Sequence, residues 1–113
     1  MLQLTPHHRL LLAVEPVDFR RGIDGLAASC KIDLSENPQS GTVFIFANKR
    51  KTAVKILVYD GHGYWLCHRR FSKGKLKWWP TSHLHYEISA ADLNVLLYQG
   101  NPSARMRTHT EGS

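Results

Sequence analysis

The sequence predicts an α+β fold, an antiparallel β-meander of about four to five strands with two helices, in a single compact domain over 1–100. Three observations carry this reading. Two segments have helical apolar spacing, a succession of extended segments lies between them, and glycine-bearing turns separate those extended segments. A content of 42% hydrophobic residues in 113 encloses one continuous core and leaves nothing for a second.

After an irregular lead-in over Met1 to His8, Arg9 to Val14 is an apolar strand that ends at Glu15-Pro16, because the residue before proline is pushed to extended geometry and proline cannot continue a central ladder. Ile23, Leu26, Ala27 and Cys30 then recur at i, i+3, i+4 and i+7, the stripe of a first helix that Gly22 and Gly25 weaken intrinsically. Beyond the turn-rich loop Ser35 to Gly41 the pattern becomes extended. Strands are expected at 42–47, 54–59, 64–71 and 75–79, linked by Asn48 to Thr52, by Asp60-Gly61-His62-Gly63 and by a tight turn at Lys73-Gly74. Ser89 caps a final helix, Asp92 completes its S-x-x-D box, Leu93, Leu96 and Leu97 form its buried stripe, and Gly100 stops it. Residues 101–113 are expected to form a flexible polar tail in which Arg105 and Arg107 are available for loose phosphate contacts.

Composition narrows the function classes. The longest apolar runs fall far short of the roughly 20 residues that span a bilayer, and the N-terminal run is broken by Glu15 and Pro16 with no small-residue cleavage site, so a cytoplasmic protein without a membrane partner is expected. Cys30 and Cys67 form no paired motif, which points to buried thiols rather than a disulfide framework. The net charge of +6 is local. Between Lys49 and Lys77 nine lysines and arginines face only Asp60, while the rest of the chain is slightly acidic. Such a concentration attracts a polyanion, nucleic acid being the commonest, or an acidic protein surface; the bland alternative is a solvated lysine-rich face.

Strand alternation suggests where those charges stand. With two-residue loops in the second and third hairpins, Val54, Ile56, Val58, Trp65, Cys67, Phe71, Leu76 and Trp78 share a core face with Arg69 as its only charge. The opposite face collects Lys55, Leu57, Tyr59, Tyr64, Leu66, His68, Arg70, Lys75, Lys77 and Trp79, cations interleaved with aromatics, as a surface that binds phosphates and stacks bases would be. The competing arrangement puts Leu57, Leu66 and the aromatics beneath a helix and leaves the lysines only at the sheet margin.

Signals for catalysis are weak. His83 and His85 form an H-x-H pair, yet a structural zinc site needs four ligands and the cysteines supply no local pair, so neither a metal nor a cofactor is expected. Asp60 starts a tight turn and Asp92 sits in a helix first turn, which leaves Asp18 and Asp24 without an obvious local task. No nucleophile elbow, P-loop or dinucleotide fingerprint occurs, and Cys67 and His68 would point to opposite faces of a strand. The chain is therefore not expected to be an enzyme.

The order of several motifs adds a family resemblance over nearly the whole chain. Asp18-Phe19-Arg20-Arg21-Gly22-Ile23-Asp24-Gly25-Leu26 comes first, followed by Asn37-Pro38-Gln39-Ser40-Gly41 running into Val43-Phe44-Ile45-Phe46-Ala47-Asn48-Lys49-Arg50. Lys55-Ile56-Leu57, Tyr59-Asp60-Gly61-His62-Gly63, then Arg70-Phe71, Gly74, Trp78 and Pro80, and the helix from Ile88 to Gly100 complete the series. Together they resemble the TnpB-type accessory protein, the second open reading frame, of the insertion-sequence family numbered 66; Trp79 is an insertion beside that family's Trp-Pro. The resemblance implies a role in assisting transposition by a separate DDE-type transposase, without implying that this chain cuts DNA. DNA and that transposase are the expected partners, alongside a homo-oligomer. Lys49, Arg50, Lys55, Arg70, Lys75, Lys77 and Trp79 are the candidate nucleic-acid-binding residues. An adaptor that contacts only the transposase and a metal-dependent nuclease built on Asp18 and Asp24 are the alternatives. Asp18, Arg20 and Asp24 could form a partner patch, or Asp18 could cap the first helix with Arg20 in a salt bridge along it.

Overall fold

The computed structural model describes residues 8–98. Its order is β1 (Leu10–Ala13), α1 (Ile23–Ile32), β2 (Val43–Ala47), β3 (Ala53–Tyr59), β4 (Tyr64–Arg70), β5 (His85–Ile88) and α2 (Ala90–Tyr98). The strands form one sheet in the order β4-β3-β2-β1-β5. The α+β class holds, with a mixed rather than purely antiparallel sheet. β2, β3 and β4 are the expected meander, whereas β1 enters parallel to β2, Leu10 beside Val43 and Leu12 beside Ile45, with α1 as the crossover that a parallel pair requires.

Each face of the sheet is covered by one helix. Leu10, Leu12, Val43, Ile45, Val54, Val58 and Ile88 pack with Leu93 and Leu96 of α2, while Leu11, Ala13, Phe44, Phe46 and Leu57 pack with Leu26 and Cys30 of α1. The all-buried sequence Leu10-Leu11-Leu12-Ala13 follows from this position: a strand with neighbours on both sides and a helix on each face has no solvated side. Ser89 caps α2 as expected, its hydroxyl accepting from the Asp92 amide at 3.1 Å. α1 starts at Gly22 without a side-chain cap, so packing of its stripe holds it.

The fifth strand is not where the alternation placed it. Residues 75–79 form no strand: Leu76, Trp78 and Trp79 all pack on the α2-side core, which strict alternation forbids, and the chain crosses the sheet to become β5 at His85–Ile88. The β3–β4 turn did follow the expected register. Asp60 and Gly63 pair across Gly61-His62, with Gly61 at a φ of 97°, the positive value that glycine takes without a Cβ clash. No helix among the described residues is long and apolar enough to cross a membrane. Gly100 and the tail over 101–113 lie outside the described residues.

One ion-pair cluster ties the lead into β2 to the β1–β5 edge. Arg9 Nη1 donates to Glu36 Oε1 at 2.8 Å, and His85 Nε2 lies 3.1 Å from Glu36 Oε2. The hydrogen bond from Arg9 holds the Glu36 carboxyl below its usual range, and it holds the Arg9 guanidinium above its own. A depressed carboxylate stabilises the fold above its ordinary pKa and loses that contribution as pH falls through the lowered value. Because Arg9 is 43% exposed, solvent limits the effect to below about 1 kcal/mol. Glu36→Gln should therefore unfold at lower urea than wild type at neutral pH, the gap closing as pH falls below the carboxylate range; urea midpoints across a pH series check this.

Candidate nucleic-acid interface

The basic residues collect at one end of the sheet. The β2–β3 turn carries Lys49, Arg50 and Lys51, the end of β4 carries Arg69 and Arg70, and the segment leaving β4 carries Lys73, Lys75 and Lys77. Two backbone bonds join these pieces: Phe71 donates to the Thr52 carbonyl at 3.0 Å and Leu76 to the Lys51 carbonyl at 2.8 Å. Asn48 stiffens the turn, its Oδ1 accepting from the amides of Thr52 and Ala53 and its Nδ2 donating to the Thr52 hydroxyl. Lys49, Arg50, Arg69, Arg70, Lys73, Lys75 and Lys77 are all exposed, and among the described residues none has a carboxylate at ion-pair distance. Like charges held near one another without counter-charges raise the local positive potential, which is what a phosphate backbone meets.

A groove of about 540 Å³ opens among these cations. Arg69, Arg70, Lys73, Lys75 and Lys77 line it together with the apolar side chains of Phe71, Leu76 and Leu97. Arg69 is positioned by aromatic rings, its guanidinium carbon 4.2 Å from the Tyr98 ring centre and 5.9 Å from that of Phe71. The charged fork therefore lies along the wall instead of extending freely into solvent. Lys49 and Arg50 border a second hollow with Pro16, Val17, Asp18 and Phe19.

Two of the residues expected on this surface stand elsewhere. Lys55 is only 8% exposed, and its Nζ donates to the carbonyls of Phe19 at 2.7 Å and Arg21 at 2.9 Å, with the Phe19 ring 5.2 Å away. It stitches the loop before α1 to the sheet instead of facing solvent. Trp79 packs on the α2-side core and donates Nε1 to the Ala13 carbonyl at 3.0 Å. The shared cation–aromatic strand face does not form, because α1 and its leading loop cover that side of the sheet: Leu57 is fully buried and Tyr64 and Leu66 pack against the core beneath α1. Lys75 and Lys77 stand on a loop, and Arg70 at the end of the edge strand, so the margin arrangement is the one adopted.

Arg69, Lys73 and Tyr98 were missed as site residues. Arg69 carried a signal, as the only charge on an otherwise apolar strand face; Tyr98 carried none, since its pairing depends on how α2 lies over β4.

The acidic candidates have local tasks. Asp18 Oδ1 accepts from the Arg20 amide at 2.9 Å, its Oδ2 lies 2.7 Å from Arg20 Nη2, and Arg20 holds the Asp18 carboxyl down to about 2. Asp18 thus closes a turn before α1 and does not cap the helix, and the salt bridge lies in the turn, not along the helix. Asp24 occupies the first turn of α1, where its charge meets the helix dipole. Among the described residues no group of three or more His, Cys, Asp or Glu is arranged to hold a metal ion. His85 is turned to Glu36, and Asp60 accepts from His62, Gly63 and the Trp65 indole.

Lys55→Met keeps the aliphatic stem but leaves two carbonyls without their donor, which should cost about 1–3 kcal/mol. The urea midpoint should fall with an unchanged slope; an unaltered midpoint would show that the Lys55 ammonium does not fasten the loop before α1.

Residues 8–108 match the family described as IS66 Orf2-like protein. Two relatives come from Sinorhizobium fredii and are themselves described as uncharacterized: y4jC is 32% identical over 89 residues, covering 79% of this chain and 76% of its own length, and y4hO is 30% identical over 97 residues, covering 86% and 84%. No solved structure matches the chain. The resemblance carried by the Asp18-to-Leu26 and Tyr59-to-Gly63 motifs thus extends across the fold, and the chain belongs to the IS66 Orf2-like family of insertion-sequence accessory proteins.

Proposed function

We propose that this accessory protein assists transposition by holding DNA at the basic end of its sheet, as a binding module with no catalytic step of its own. The observation that carries the reading is the set of seven exposed cations, Lys49, Arg50, Arg69, Arg70, Lys73, Lys75 and Lys77, brought to one end without a carboxylate partner among the described residues. The lysines act as point charges for successive phosphates, and Arg69, steadied by Tyr98, offers a fork suited to two phosphate oxygens. The apolar lining from Phe71, Leu76 and Leu97 accommodates sugar edges between those contacts. Contacts of these side chains to phosphates supply position and affinity more than sequence choice.

Lys75→Glu with Lys77→Glu should abolish retention of a duplex in a gel-shift assay at moderate salt, while the far-ultraviolet circular dichroism stays that of the wild type. Both side chains are exposed and lie on a loop, so their reversal leaves the core intact. Undiminished retention by the folded double variant would remove this end as the DNA surface. Retention that appears in wild type only after the transposase is added would replace DNA binding with an adaptor role.

A further inference from the structure

β4 is an edge strand, and among the described residues nothing pairs with its outer side. The ladder with β3 determines which backbone groups are free. Asp60 donates to the Gly63 carbonyl and Phe71 to the Thr52 carbonyl, so odd-numbered positions of β4 bond inward to β3. In an antiparallel ladder bonded and non-bonded positions alternate, which turns the amides and carbonyls of Tyr64, Leu66, His68 and Arg70 outward. Seven residues of open edge is a template for another strand, and such edges are ordinarily shortened, bulged or guarded by charge. Here the charges, Arg69 and Arg70, stand at one terminus only, and the aromatics Tyr64 and Trp65 stand at the other.

We propose that β4 pairs with β4 of a second copy of this chain, antiparallel and about a two-fold axis through Cys67. This register pairs all seven residues and uses the outward groups at 64, 66, 68 and 70 in reciprocal bonds. It sets Arg70 of each copy opposite Tyr64 of the other and Arg69 opposite Trp65, so cations meet aromatic rings and the arginines of the two copies lie at opposite ends. Trp65 is suited to this: it is 43% exposed, and its indole is fixed in place by the bond to Asp60 Oδ2 at 2.8 Å. Slipping the register by two residues in either direction loses both of these aromatic–arginine matches. A two-fold axis also requires the strands to be antiparallel, the arrangement in which each patch complements itself. The product is a continuous ten-stranded sheet that removes both exposed β4 edges. It does not rest on the DNA reading, although the two share Arg69 and Arg70, and it brings the two basic ends to either side of the axis.

At the axis Cys67 faces its own copy in a non-bonded pair, where Cα atoms approach to about 4.5 Å, within the range a disulfide spans. Cys67 is exposed and Cys30 is fully buried, so oxidation reports on β4 alone. Edge-strand pairing of this size belongs to the weaker, concentration-dependent class of associations. The test is sedimentation equilibrium of the full chain over a range of concentrations, with diamide as the oxidant that takes up the two protons and two electrons of disulfide formation. The proposal expects twice the 12.9 kDa chain mass at high concentration, a diamide-induced dimer that Cys67→Ser loses, and continued reversible dimerisation of Cys67→Ser without oxidant. His68→Pro removes one outward donor and no bond to β3, so it should remain folded and become monomeric. A wild type that stays monomeric up to its solubility limit, or a dimer that diamide cannot link, overturns the proposal. So does a dimer that persists unweakened in folded His68→Pro; should that variant not fold, sedimentation of wild type and the Cys67 disulfide decide alone.

Discussion

Burial of β1 on both faces is the constraint from which the rest of the molecule follows. Leu10, Leu11, Leu12 and Ala13 are all buried, with β2 and β5 on either side and the α2 and α1 cores above and below. A strand so placed requires one helix on each face of the sheet. With both faces occupied, no broad sheet face is left to display lysines, and a charge among Leu57, Phe44 and Phe46 would need internal partners. Lys55 meets that condition with two carbonyls; the remaining cations are displaced to the turns and the edge. The concentration of charge at one end of the sheet is thus a consequence of how the core is closed.

The same constraint gives the early motif of the family a structural meaning. Asp18 and Arg20 close a turn on themselves, Lys55 holds the carbonyls of Phe19 and Arg21, and Phe19 meets the His68 ring edge-on at 5.5 Å. The loop from Asp18 to Gly22 is therefore fastened to β3 and β4 before α1 begins. That matters because α1 has no side-chain N-cap and carries Gly25 in its second half-turn, so its start depends on tertiary contacts. Lys55 anchors the loop that leads into the helix from 34 residues or more along the chain.

Much of the fold was legible in the sequence where local periodicity and burial agree. The α1 stripe, the β3–β4 register and the Ser89 cap each depend on near neighbours, and all appear as expected. β5 was not legible, because His85-Tyr86-Glu87-Ile88 is short and polar and becomes a strand only through pairing with β1. Residues 75–79 misled for the opposite reason: their alternation is real, but Trp78 and Trp79 both fill core space as the chain crosses the sheet. Of the candidate site, Lys49, Arg50, Arg70, Lys75 and Lys77 are exposed at the basic end, as their charge alone would suggest. Lys55 and Trp79 were misplaced because alternation tells which side of a strand a residue takes and not what covers that side.

Phosphate neutralisation by the basic end is tested most directly by a fluorescence titration of the wild-type protein with a labelled duplex across a salt series. Each phosphate that the cations neutralise releases counterions, so the logarithm of the affinity should fall linearly with the logarithm of salt, with a slope near 0.9 for each contact. A slope corresponding to several contacts agrees with a cluster of Lys and Arg side chains engaging the backbone together. Affinity that does not change with salt, or no binding at low salt, would contradict DNA binding at the basic end.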